Sequence, residues 1–280
     1  MTETDNDRPN HYFGKWGLVK DPFTTSPDPD YLFPSHQHLT VLTCLEISVR
    51  LRRGACVVLG EIGTGKTTLC RTLIQKLESD PSIEIALLLN PPDGGGNSFL
   101  SALSSLYRLP VQTVGETFSA LKDYLFYHGV ERNKTVVLMI DEAQKLNTES
   151  IELIRTLLNY ETNEYKLLQL VLFAQLELKD KIKQLPNFED RLNIKIELNP
   201  LSVEECGELI QFRLLKAGYG NEEPVFTDDA IRAIHEITGG YPRKICMLAH
   251  KAMMEMVMTE VMIAGESLIR QIGVHEVVLA

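Results

Sequence analysis

Cys56-Val57-Val58-Leu59-Gly60-Glu61-Ile62-Gly63-Thr64-Gly65-Lys66-Thr67-Thr68-Leu69 is the stretch that decides the fold. Residues 60–67 satisfy the pattern G-x-x-x-x-G-K-[ST] at every fixed position. An apolar run precedes the pattern, as a buried strand would, and residues 68–74 continue in helical period. Glycines let the backbone turn so that successive N–H groups converge at a helix N-terminus, which favours a phosphate. The pattern predicts a phosphate loop made of Gly60, Glu61, Ile62, Gly63, Thr64, Gly65, Lys66, Thr67 and Thr68. Lys66 is expected to neutralise the β- and γ-phosphates of ATP, and the Thr67 hydroxyl to hold Mg²⁺.

A second signal follows 75 residues after Lys66. Val136-Val137-Leu138-Met139-Ile140 is wholly apolar, predicting a central strand, and it ends in Asp141-Glu142. In open parallel sheets ligands bind at the carboxyl ends of strands. Asp141 is therefore expected beside the phosphate loop, ordering Mg²⁺ through water. Glu142 is expected to polarise an attacking water as general base. A small-metabolite kinase typically lacks that second carboxylate.

Outward from these two motifs, apolar runs at 55–59, 84–89, 135–140, 168–174 and 194–198 alternate with helical patterns at 67–77, 99–107, 114–130 and 150–160. Such alternation predicts an α/β fold with a parallel sheet covered on both faces. Residues 93–97, Asp-Gly-Gly-Gly-Asn, read as a loop, and Lys179, Lys181 and Lys183 as a solvated helix. After Pro200 the strands stop. Ser202-Val203-Glu204-Glu205 is a capping box, Thr227 caps a second helix, Gly239-Gly240 ends it, and Pro242 opens a third. The expected organisation is an irregular arm over 1–35, a nucleotide-binding core over 36–200 and a small all-helical lid over 201–280. The arm carries prolines at 22, 27, 29 and 34 among Phe13, Trp16, Phe23, Tyr31 and Phe33, so it is expected to lie across the body and cover an adenine.

Composition narrows the class. Of 280 residues 44% are hydrophobic and 24% charged, which excludes collagenous, disordered and coiled-coil chains. A net charge of −10 argues against coating nucleic acid with a whole face, while leaving room for a local basic patch. The five cysteines form no C-x-x-C pair, so free thiols in a reducing cytoplasm are expected rather than zinc or disulfides. His36 and His38 have no matching ligands. Residues 1–10 hold Glu3, Asp5 and Asp7 and no apolar run, so no secretory leader is expected. The most apolar stretch, 245–264, contains His250, Lys251, Glu255 and Glu260, so no membrane span is expected.

Residues 60–71 (GEIGTGKTTLCR), 141–146 (DEAQKL), 161–178 (ETNEYKLLQLVLFAQLEL) and 240–245 (GYPRKI) resemble the AAA+ ATPases of the general secretion pathway A type, the ExeA/GspA family. TnsC- and MuB-like transposition ATPases are its relatives. Phe13-Gly14, Asp21-Pro22-Phe23, Pro27-Asp28-Pro29 and Tyr31-Leu32 share the likeness, which covers about residues 12–254. The resemblance implies a P-loop NTPase αβα sandwich followed by a helical lid, assembling with copies of itself as a homo-oligomeric ring or filament. It implies three further roles. Gln175 matches the sensor 1 position, although Ala174 stands where the family has glycine. Arg191 matches an arginine finger given to a neighbouring subunit, and Arg243 matches sensor 2, coupling the lid to bound phosphate. Two processes remain open on this likeness. One is ATP-driven assembly of a secretion or envelope-associated machine with a protein partner. The other is ATP-dependent polymerisation on DNA to regulate a transposase. The absence of a membrane span and of a further domain after Ala280 weighs against the first, and the acidic charge against the second.

Overall fold

The computed structural model describes residues 14–109 and 113–277, so Phe13 lies outside the described residues. Two compact units are present. The larger takes Pro34–Ile62 and Lys66–Asn199. It runs α1 His36–Arg50, β1 Ala55–Gly60, α2 Lys66–Glu78, β2 Ile83–Leu88, α3 Gly95–Leu106, α4 Val114–Phe126 and β3 Thr135–Ile140. After β3 come α5 Thr148–Leu157, β4 Leu168–Ala174, α6 Glu177–Lys183, α7 Pro186–Glu189 and β5 Leu192–Leu198.

The five strands are parallel, in the order β2-β3-β4-β1-β5. Every residue of β1, β3 and β4 is buried, as continuous apolar runs with helices on both faces require. Gln169 is the polar exception within β4. Its amide accepts the Gly54 N–H and donates to the Lys166 carbonyl, both at 2.7 Å, so no group is left unpaired. The α/β expectation therefore holds, with differences at the edges. β5 begins at Leu192 rather than 194 because Asn193, which reads as loop, faces outward on an edge strand and donates to the Arg53 carbonyl. Gly95, Gly96 and Asn97 form the first turn of α3 instead of a loop. There the Gly96 N–H donates to Glu149 Oε2 at 2.9 Å, and a Cβ on Gly96 would stand 3.1 Å from Leu153, so only glycine fits comfortably against α5.

The second unit comprises Met1–Phe33, Gly63–Gly65 and Pro200–Ala280, as far as these are described. Its helices are α8 Val203–Lys216, α9 Asp228–Thr238, α10 Pro242–Met258 and α11 Glu266–Val277. The Ser202 and Glu205 capping box is reciprocal at 3.1 and 3.2 Å, and Thr227 Oγ1 accepts the Ala230 N–H at 3.2 Å. Arm residues share this helical core. Trp16, Leu18 and Phe23 are buried with Leu209, Phe226 and Met253. Trp16 Nε1 donates to the Met262 carbonyl at 3.0 Å, and Phe23 meets Phe226 edge-on at 6.0 Å. Burial of Phe23 contributes about 2–3 kcal/mol. Of the rings expected to cover an adenine, Trp16 and Phe23 are instead buried in this helical core.

Gly240 shows how tightly this unit closes. Its φ is +75°, its carbonyl accepts the Leu201 N–H at 2.9 Å, and an added Cβ would sit 2.2 Å from the Leu201 carbonyl oxygen. Gly240→Ala is expected to lower stability by about 2–4 kcal/mol, from left-handed strain plus a backbone shift. Gly115→Ala, where the new methyl meets nothing within 4 Å, should stabilise slightly, by about 0.5 kcal/mol. Urea unfolding of both variants checks the contrast.

Candidate nucleotide site

The strand order sets the site. β4 lies between β1 and β3, with Leu59 level with Ala174 and Ile140 level with Leu172. Three adjacent strand ends consequently deliver the loop after Gly60, then Gln175, then Asp141-Glu142, to one edge of the sheet. The loop turns on Gly63 (φ +87°) and Gly65 (φ +96°), conformations that side chains disfavour, and enters α2 at Lys66.

Lys66 is only 8% exposed and folds back on the loop, donating through Nζ to the Gly60 carbonyl at 2.8 Å and the Glu61 carbonyl at 2.9 Å. Burial pulls its ammonium below the ordinary lysine range, opposed by the charges of Glu142, Asp141 and Glu61. Thr67 Oγ1 donates to Asp141 Oδ2 at 2.8 Å, so the two expected metal-holding side chains already touch. Asp141 is 4% exposed, and burial raises its carboxyl above the usual carboxylate range, although hydrogen bonds from Thr67 and the Glu142 N–H pull the other way.

Glu142 adopts φ 56°, ψ 36°, left-handed backbone that costs a residue with a Cβ roughly 1–2 kcal/mol. It is the hinge between β3 and the turn Ala143–Lys145. Gln144, which sequence reading passed over, is buried there. Its Nε2 donates to Glu142 Oε2 at 2.6 Å, and its Oε1 accepts the backbone N–H of Gln175 at 3.0 Å. Lys181 donates to the carbonyls of Gln144 and, at 3.1 Å, Leu146. The solvated-helix reading of the three lysines is corrected for Lys181, while Lys179 and Lys183 pair with Glu197 and Asp180. The signal available in sequence was an amide two residues beyond the carboxylate pair, which alone carries no direction.

The two arginine candidates are placed differently from each other. Arg191 is exposed and precedes Leu192, the β5 residue level with Ala55 at the start of β1. It is thus at the amino end of the strands, on the order of 17 Å of β1 from the phosphate loop. Its charge adds to the Lys166 hydrogen bond that holds the Glu161 carboxyl low. Arg243 is exposed in the first turn of α10. Within the unit that includes Gly63–Gly65, its backbone N–H donates to the Gly63 carbonyl at 3.1 Å.

The Asp141 shift carries a sign. A carboxyl raised above 3.8 on folding binds its proton more tightly folded than unfolded. Its contribution is present below the unfolded value and lost as pH rises through the folded one. Asp141→Asn is therefore expected to melt higher than the parent near pH 8 without nucleotide, the gap closing as pH falls toward 3.8. Thermal denaturation across pH measures it.

An AAA domain is matched over residues 49–182, which spans both motifs. General secretion pathway protein A of Aeromonas hydrophila is 35% identical over 243 residues, 85% of this chain. The chain spans 43% of that relative's length. Among solved structures, Cdc6p of Pyrobaculum aerophilum superposes with a TM-score of 0.67 at 17% identity, over 88% of this chain and 68% of that one. The RuvB Holliday junction branch migration motor of Thermotoga maritima gives 0.59 at 17%, over 89% and 72%. These two establish fold alone. Sheet order and phosphate loop give this chain the P-loop αβα fold, with an AAA domain matched over residues 49–182 and a likeness to general secretion pathway protein A.

Proposed function

We propose that the chain hydrolyses ATP and uses ATP-dependent assembly with copies of itself to drive a secretion or envelope-associated machine. The observation that carries hydrolysis is the junction of the phosphate loop with Asp141-Glu142 through the Thr67–Asp141 hydrogen bond. The process rests on the 35% identity to general secretion pathway protein A.

The residues fit a magnesium nucleotide. A buried lysine parked on loop carbonyls is a cation waiting for a stronger anionic partner, and Gly63 and Gly65 give the loop the left-handed turns that a phosphate cradle uses. In this reading the loop 60–68 and Lys66 bind the β- and γ-phosphates. Thr67 and Asp141 would hold Mg²⁺, which would supply charge neutralisation on the phosphates. Glu142 takes the proton of the attacking water, and Gln175 orients that water or the γ-phosphate. Arg243 couples the helical unit to bound phosphate. Arg191 lies too far along the sheet to serve its own chain's loop, which supports its assignment to a neighbour's site.

Lys66→Ala is expected to abolish tight ATP binding, whereas Glu142→Gln should bind ATP normally and turn over about 10²–10⁴-fold more slowly. Nucleotide titration and phosphate release on both variants check this, and wild-type turnover by Glu142→Gln would remove the base assignment. Arg191→Ala alone should lose about 10³–10⁵-fold in rate. Mixed with Lys66→Ala, it should regain partial activity, because some interfaces then join an intact pocket to an intact finger. A dead mixture of variants that still co-assemble would end the trans-acting role. Salt-sensitive DNA binding that requires ATP would redirect the process toward a regulator of transposition.

A further inference from the structure

We infer that Gln144 is a positioning residue for hydrolysis: it aims the Glu142 carboxylate and ties it to the strand end that carries Gln175. This rests on the reading of Glu142 as the base. Its amide orientation is forced. The Gln175 backbone N–H can only donate, so Oε1 must face it, and Nε2 is then turned to Glu142 Oε2 at 2.6 Å. A neutral donor facing a carboxylate at that distance is a charge-assisted hydrogen bond, among the stronger ones available.

Three features make Gln144 a clamp rather than a passing contact. Its side chain is buried, so water competes little with the amide. Its backbone carbonyl is gripped by Lys181 from α6, which fixes the turn that presents the amide. Glu142 itself sits in left-handed backbone, a conformation that persists where surroundings hold it. Glu142 is thus constrained on its main chain by the turn and at its carboxylate by the amide. Any displacement of the β4 end at Gln175 reaches that carboxylate through a single rigid amide plane. Geometry of this kind governs rate rather than affinity, because nothing in the chain Gln175–Gln144–Glu142 grips the phosphates through Gln144 itself.

Two substitutions separate the roles. Gln144→Met keeps the length and removes both hydrogen bonds. Gln144→Glu keeps the acceptor for the Gln175 N–H and removes the donor to Glu142. In the full chain, each is expected to lower kcat at saturating ATP by about 10–100-fold, since a misplacement near 1 Å can cost on the order of 10²-fold. The Kd for a fluorescent ATP analogue should stay within about twofold of the parent. Either folded variant at parental kcat overturns the inference. A parallel loss of kcat and nucleotide affinity in both also overturns it, since that marks general damage to the site. Glu142→Gln is measured alongside. If it turns over like the parent, the base reading has failed and this inference with it. If it is slow while the Gln144 variants are fast, only the role of Gln144 is wrong.

Discussion

Lys66 and Asp141 are charges held out of water at the carboxyl edge of three buried strands, and the site is organised around that desolvation. Burial pushes each toward its neutral form, the lysine downward and the carboxyl upward. The fold answers with the charges of Glu142, Asp141 and Glu61 around Lys66 and with hydrogen bonds: two loop carbonyls for Lys66, and the Thr67 hydroxyl with the Glu142 N–H for Asp141. These satisfy hydrogen bonds while the lysine stays shifted downward and the carboxyl upward. Anionic phosphate beside Lys66 and a cation beside Asp141 would each favour the charged form, which supports the magnesium nucleotide proposed for the site.

That edge exists because of strand order. With β4 inserted between β1 and β3, Gln175 comes between the phosphate loop and Glu142. The sheet register then lets one buried amide, Gln144, touch both the carboxylate and the Gln175 main chain. Had β3 paired directly with β1, the β4 end would stand outside this row. Topology places the Gln175 main chain and Glu142 close enough for one side chain to join them.

Much of this was legible in the sequence, and the rest was hidden for a physical reason. Strands β1, β3 and β4 announce themselves as near-continuous apolar runs because both faces are buried, and the phosphate loop is local, set by glycines and Lys66-Thr67. Caps such as Ser202 and Thr227 are equally local. What escaped depends on contacts between distant residues. Gln144 reads as an ordinary polar turn residue until the Gln175 N–H, 31 positions away, gives it a direction. Lys181 reads as solvated until the turn after β3 presents carbonyls to it. Trp16 and Phe23 read as a cover for a flat base, since an aromatic's burial is legible but the surface that buries it is not. At β5 the alternation of a half-covered edge strand blurred the start, because Asn193 and Lys195 carry no apolar signal.

The same edge strand bears on how copies could meet. β5 shows solvent Asn193, Lys195 and Glu197, with Lys195 paired to Glu189 and Glu197 to Lys179. Charged, already partnered side chains along an edge discourage another strand from adding to it. Arg191 stands just before this strand, at the end of the sheet opposite the phosphate loop, so within one chain it is separated from that loop by the full length of a rigid strand. No rotamer of an arginine closes such a gap, and bending a central parallel strand to close it would break ladders that bury β1 completely. A role for Arg191 in phosphoryl transfer therefore requires a second copy, joined by contacts other than a strand added to β5. Contacts of that kind can be made and released as the site's charge changes, whereas a continued β-ladder would hold the copies together whatever nucleotide was bound.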